Sequence, residues 1–118
     1  MNNPDHDKIV ITTLNQSSVY SCLDIMYCSA EGAYSCIYLK NGAKQLVSKN
    51  LISMSQQLNY FYFIRISRFL LLNVFYIAHI NHKERKISLI NGTCLSYTIK
   101  TKVLLRCLNI ALEKREVL

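Results

Sequence analysis

Tyr34-Ser35-Cys36-Ile37-Tyr38-Leu39-Lys40 runs into Asn41-Gly42, and Lys44-Gln45-Leu46-Val47 returns. An Asn-Gly pair between two runs rich in β-branched and aromatic residues is the strongest short-range hairpin signal, because both turn positions are expected at positive φ. The arrangement recurs downstream. Lys86 to Ile90 meets Asn91-Gly92, and Thr93 to Thr98 returns. Two such hairpins predict antiparallel sheet. Working outward, Lys8 to Thr12 and Ser17 to Cys22 read as further strands. Ile25 to Cys28 leads into a turn around Ala30-Glu31-Gly32, and Tyr60 to Ile80 is strand-like and strongly apolar, interrupted by Arg65, Ser67, Arg68 and Asn73.

Two segments carry helical spacing instead. Leu51, Met54 and Leu58 repeat at three and four residues, with Ser48 as the expected cap. Leu104, Cys107, Leu108, Ala111 and Leu112 form an apolar stripe behind Thr98 or Thr101 as cap. The expected fold is mostly β, with antiparallel sheets, short helices and the longest helix near the C-terminus. At 118 residues the chain is read as a single domain, with its core between about residues 8 and 112.

The charge points to a partner. Lys and Arg number 14 against 7 Asp and Glu, for a net +7. From Gly32 to Leu112 there are eleven Lys or Arg and a single acid, Glu84. A core this basic attracts a polyanion or an acidic surface. DNA carries one charge per roughly 1.7 Å of axis, and each cation set on a phosphate releases counterions. Lys100 and Lys102 lie at an expected helix N-terminus, where the dipole disfavours cations, so an anionic partner would offset their cost. Lys83, Arg85 and Lys86, beside Glu84, read as a solvated turn.

Catalytic patterns are missing. Acids are too sparse for a carboxylate pair, and there is no GxSxG, GxGxxG or P-loop. His79 and His82, three apart in a β-like stretch, are expected on opposite faces, without a Cys or carboxylate at ligand spacing. We therefore expect no enzyme, no metal and no small-molecule cofactor. Cys22, Cys28, Cys36, Cys94 and Cys107 form no CxxC pair, the chain opens polar with Met1-Asn2-Asn3-Pro4-Asp5, and the longest uncharged apolar run, Phe69 to Ala78, is half a membrane span. Reduced thiols packed in or near the core of a cytoplasmic protein, without membrane insertion, are expected.

Three places present polar or basic residues at strand ends, turns or helix starts: Glu31 to Ser35, Ser67 to Phe69, and Thr98 to Lys102. They also carry a family resemblance. Ile25-Met26-Tyr27 through Glu31-Gly32-Ala33-Tyr34 resembles the Ile-Xaa-Tyr strand, Glu-containing turn and Gly-Xaa-Tyr of the LytTR family of bacterial transcription regulators. Ile37 to Gly42, then Leu46-Val47-Ser48-Lys49-Asn50-Leu51, is similar to that family's hairpin and short helix. Phe63-Ile64-Arg65-Ile66-Ser67-Arg68, followed by Leu70, Leu71, Leu72 and Asn73, resembles its Phe-Xaa-Arg-Ile-His-Arg-Ser-aliphatic-aliphatic-Asn signature. Tyr76-Ile77 and Ile87 to Gly92 continue it in order.

The resemblance implies an elongated arrangement of antiparallel sheets whose loops enter successive major grooves and bend the DNA. By position, it makes Ala33 or Tyr34, Arg68 and Lys100 base-contact candidates, and Ser35, Lys49, Ser67, Thr101 and Lys102 phosphate-contact candidates. It implies double-stranded DNA as partner, with a second copy on a tandem half-site. Family members usually carry this module as the output domain of a response regulator, behind a receiver that does not fit within 118 residues. The sequence departs from the signature at Ser67 (His), Phe69 (Ser) and in Thr98-Ile99-Lys100 (Ser-Arg-Arg). Those departures motivate one rival, a protein-interaction module of the same fold without DNA specificity. The second rival is a peripheral membrane binder using basic and aromatic side chains. Arg65 is expected to be structural where Arg68 is not, and Asn73 to satisfy backbone groups.

Overall fold

The computed structural model describes residues 4–13 and 15–117, so the polar opening Met1 to Asn3 lies outside it. Among the described residues, ten strands and two α-helices follow in order: β1 (Lys8–Thr12), β2 (Ser17–Ser21), β3 (Ile25–Glu31), β4 (Tyr34–Leu39), β5 (Lys44–Val47), α1 (Leu51–Gln57), β6 (Phe63–Ser67), β7 (Leu70–Asn73), β8 (Ile77–Asn81), β9 (Lys86–Leu89), β10 (Cys94–Ser96) and α2 (Thr101–Val117). The protein is mostly β, as expected, and α2 is the longer helix.

Every pairing is antiparallel. A central sheet has the order β5-β4-β3-β7-β6, flanked by a three-stranded sheet, β10-β9-β8, and the β1-β2 ribbon. The alternation of side chains lets the central sheet serve two cores. One face, with Ile25, Cys28, Ile37 and Leu71, packs against Ile9 and Ile11 of the ribbon, Met54 of α1, and Tyr62. The other, with Leu72, meets Ile87 and Leu89 of the small sheet, Tyr97, and Leu104 of α2. Helix α2 runs past both, placing Leu104 in the second core and Ala111 in the first. The extents are 43 × 34 × 24 Å.

The Asn-Gly hairpins form by a mechanism other than the expected one. Only the glycines take positive φ, 90° at Gly42 and 92° at Gly92. Each asparagine instead turns its Oδ1 onto the amide two residues ahead, Ala43 at 2.9 Å and Thr93 at 3.0 Å. Helix starts also differ. Asn50, not Ser48, caps α1, accepting from the Ser53 amide at 2.9 Å. At α2 the first bonds go to the Lys100 carbonyl, and Thr101 is already the first helical residue, its hydroxyl shared with the Tyr97 hydroxyl at 2.7 Å. Neither Thr98 nor Thr101 caps it.

The apolar stretch from Tyr60 to Ile80 divides into three strands. Arg68 and Phe69 turn β6 into β7. Asn73 ends β7: fully buried, it donates to the Ile25 carbonyl at 3.0 Å and accepts from the Phe75 amide at 3.0 Å, starting a 3-10 turn over Val74–Tyr76. Cys22, Cys28 and Cys36 are buried, but Cys94 is exposed, which corrects the expectation for that residue: in a three-residue strand only the middle position, Leu95, faces inward. His79 and His82 both border the groove between β8 and α2, because the register slips between Ile77 and His79 and His82 lies past the strand's end. Among the described residues, no helix is long and apolar enough to cross a membrane, and no three His, Cys, Asp or Glu are grouped to hold a metal.

Candidate nucleic-acid interface

Strand register brings the three singled-out places to one end of the molecule. Strand β3 climbs to Glu31, which pairs with Tyr34, so the turn Gly32-Ala33 caps that end. Leu70, the first residue of β7, pairs with Ser29 and with Ser67 of β6, putting the Arg68-Phe69 turn at the same end. Val47, the last residue of β5, pairs with Ser35, so Ser48 and Lys49 leave the sheet there too. The amides of Thr98 and Ile99 donate to the Ile66 carbonyl at 2.8 and 3.3 Å, docking the start of α2 beside β6. The two sheet turns stand two strand spacings apart, roughly 10 Å, against a major groove about 12 Å wide.

Tyr34 is 48% exposed beside the β3-β4 turn, and Ala33 next to it offers no side-chain hydrogen bond. Ser35 is corrected: it is fully buried, and its hydroxyl donates to the Lys49 carbonyl at 2.7 Å. It faces the opposite side of β4 from Tyr34 and ties the Ser48-Lys49 crossing to the sheet, out of reach of a phosphate. Lys49 itself is exposed, its Nζ donating to Gln57 Oε1 at 2.8 Å.

At the second turn, Arg68 is exposed with its guanidinium 5.6 Å from the centre of the Phe69 ring, and Phe69 is 60% exposed. The turn is held from behind. Arg65 donates from Nε to the Ser67 carbonyl at 3.3 Å and from Nη2 to the Arg68 carbonyl at 2.7 Å. Arg65 is thus structural, as expected. The Ser67 hydroxyl accepts from the Phe69 amide at 3.2 Å, which leaves its proton to donate elsewhere. Tip and sheet are joined where the Ala30 amide donates to the Phe69 carbonyl at 2.8 Å.

At the third place, Lys100 and Lys102 are exposed and make no ion pair among the described residues, where the ion pair Lys40–Asp24 lies at the other end of the sheet. Arg106, also exposed, stands one helical turn from Lys102 and extends the basic face. Thr101 is half-buried against Tyr97.

Much of the remaining charge serves packing. Lys114 and Arg115 lie 5.0 and 4.3 Å over Phe61 and Phe75, and Lys86 donates to Ser96 at 2.8 Å. Sequence reading missed Arg85. It is half-buried rather than solvated, 4.8 Å over the Tyr97 ring and donating to the Ile99 carbonyl. Glu31, which opens the first of the three places, is exposed and accepts from Ser29 at 3.2 Å.

No curated protein matches the chain. Among solved structures, it is similar to a LytTr DNA-binding domain of a methyl-accepting/DNA response regulator from Bacillus cereus, with a TM-score of 0.68 and 19% identity over 87% of this chain and 96% of that one. The family model for the LytTr DNA-binding domain matches residues 15–104, from β2 into α2, and so includes all three places. The chain belongs to the LytTR family of DNA-binding domains.

Proposed function

We propose that this protein binds double-stranded DNA sequence-specifically in transcriptional regulation, presenting the sheet end with its two turns and the start of α2 to the major groove. The observation that carries the reading is the convergence of Tyr34, Arg68 and Lys100 on one end, with Lys49, Ser67 and Lys102 beside them. An arginine can bond guanine O6 and N7 bidentately, and Phe69, on the same tip, is suited to a thymine methyl. Phosphate contacts from Lys49 and Lys102 would supply affinity, and base contacts would supply choice. On this reading the protein acts in a bacterial cytoplasm as a non-catalytic response-regulator output domain, with a second copy on a tandem half-site.

The exposure of Phe69 favours one rival, a protein-interaction module that keeps the fold without reading DNA. Selection of bound duplexes from a random pool separates the two. Enrichment of a motif supports the DNA reading; binding to no duplex at any salt concentration would overturn it.

A further inference from the structure

Arg85 is the sole non-glycine described residue at positive φ, 56°, in the turn between β8 and β9. For a residue with a side chain this conformation is unfavourable and persists only where surrounding contacts hold it. Three contacts do so here, and all lead to one segment. The Arg85 carbonyl accepts from the Tyr97 amide at 3.1 Å, its guanidinium lies 4.8 Å over the Tyr97 ring, and Nη2 donates to the Ile99 carbonyl. Ile99 is followed by Lys100; its amide, with that of Thr98, donates to the carbonyl of Ile66, the bulge residue of β6, and its side chain packs against the second core.

We propose that Arg85 is a positioning residue for DNA recognition: it latches the Thr98–Lys100 approach to α2 so that Lys100 is presented at a fixed place and angle. The inference rests on the DNA-binding reading and adds a residue to it that does not touch DNA. A guanidinium suits the task because it stacks flat on a ring while its N–H groups remain free to bond in its plane. Lysine in its place would keep the charge without that fork. The geometry also removes Arg85 from the polycation, because its head is already engaged.

The test uses Arg85→Gly, which accepts the positive φ and deletes only the side chain, alongside Arg85→Lys, Lys100→Ala and the Arg85→Gly/Lys100→Ala double variant. In the free protein, hydrogen exchange at the Ile99 to Leu104 amides should quicken at least tenfold in Arg85→Gly while the central sheet keeps its protection. On duplexes recovered by selection, Arg85→Gly should lose about tenfold on the preferred site, at the same base position as Lys100→Ala, and stay within about twofold on random duplex. Arg85→Lys should not restore the preference. The double variant should be no weaker than the worse single, because both act through one contact. Unchanged exchange in Arg85→Gly overturns the proposal. So do equal losses on specific and random DNA, which would make Arg85 a phosphate contact, and single effects that multiply in the double variant. Wild-type protein that selects no duplex would instead be the failure of the DNA reading, and the exchange result would still stand on its own.

Discussion

Arg65 donates to the backbone carbonyl of Arg68 across 2.7 Å, so one arginine holds the turn that presents the other. The sheet explains how residues three apart divide the work. A register slip between Arg65 and Ser67 ends the plain alternation, and the chain turns at Arg68 back over the Arg65 head. Arg65→Met keeps the stem and deletes both hydrogen bonds, and should lower unfolding free energy by about 1–2 kcal/mol. Denaturant titration measures it; an unchanged midpoint would mean that the clamp does not contribute.

A larger loss is expected at Asn73. Leucine there would leave the Ile25 carbonyl and the Phe75 amide without their present partners, one of them in the buried heart of the sheet. The expected cost is about 2–4 kcal/mol, seen in the same titration. Asn73→Asp should be nearly as harmful, because the carboxylate cannot donate to Ile25.

Stability should fall on the alkaline side. Burial pushes the Cys22 and Cys28 thiols up from 9.0 to about 11 and about 12. Burial, with its hydrogen bond to Asp7, also raises the Tyr62 phenol. Groups with raised folded-state values favour the fold while neutral. Their contribution is complete below about pH 8 to 9, where the unfolded thiols are also neutral, and is lost as pH rises toward 11–12. Unfolding midpoints should be flat from pH 7 to 8 and decline above 9, with a shallower decline in a Cys22→Ala/Cys28→Ala variant compared with its own value at pH 7.

The same contrast predicts labelling. Native protein treated with a maleimide should react first at Cys94, more slowly at half-buried Cys107, and at Cys22 and Cys28 only after denaturation. Peptide mapping identifies the order, and early modification of Cys28 would contradict the packing of the first core.

How much of this was legible in the chain depended on whether a residue's role is local. The hairpins at Asn41-Gly42 and Asn91-Gly92, the apolar stripe of α2 and the order of motifs across Tyr34, Arg68 and Lys100 are local patterns, and each leaves a trace in spacing. Ser35 misled because polarity near a turn looks the same whether the hydroxyl faces water or the Lys49 carbonyl, and alternation along β4 decides which. Arg85 misled for a related reason. Its neighbours Lys83, Glu84 and Lys86 are exposed, and its partner Ile99 lies fourteen residues away. Only the folded chain brings the two together.

Arg68 and Lys49 provide the most direct contrast within the DNA reading. Both are exposed cations at the same end of the central sheet, so charge alone gives them equal standing. Their supports differ. Arg68 sits on a turn fixed by Arg65, Ser67 and Ala30, which suits a contact requiring a set direction, whereas Lys49, its backbone held by Ser35, carries its ammonium on a long exposed stem that meets Gln57. Arg68→Ala should therefore cost about 1–3 kcal/mol on the preferred site and relax choice at one base position. Lys49→Ala should weaken all duplexes alike and lower the salt slope by about 1. Binding isotherms over a series of salt concentrations, on selected and random duplexes, distinguish the two. If Arg68→Ala weakens both duplexes equally, Arg68 is a second phosphate contact. If it changes neither while the protein stays folded, the tip does not face DNA, and Phe69 becomes the centre of a protein-binding surface.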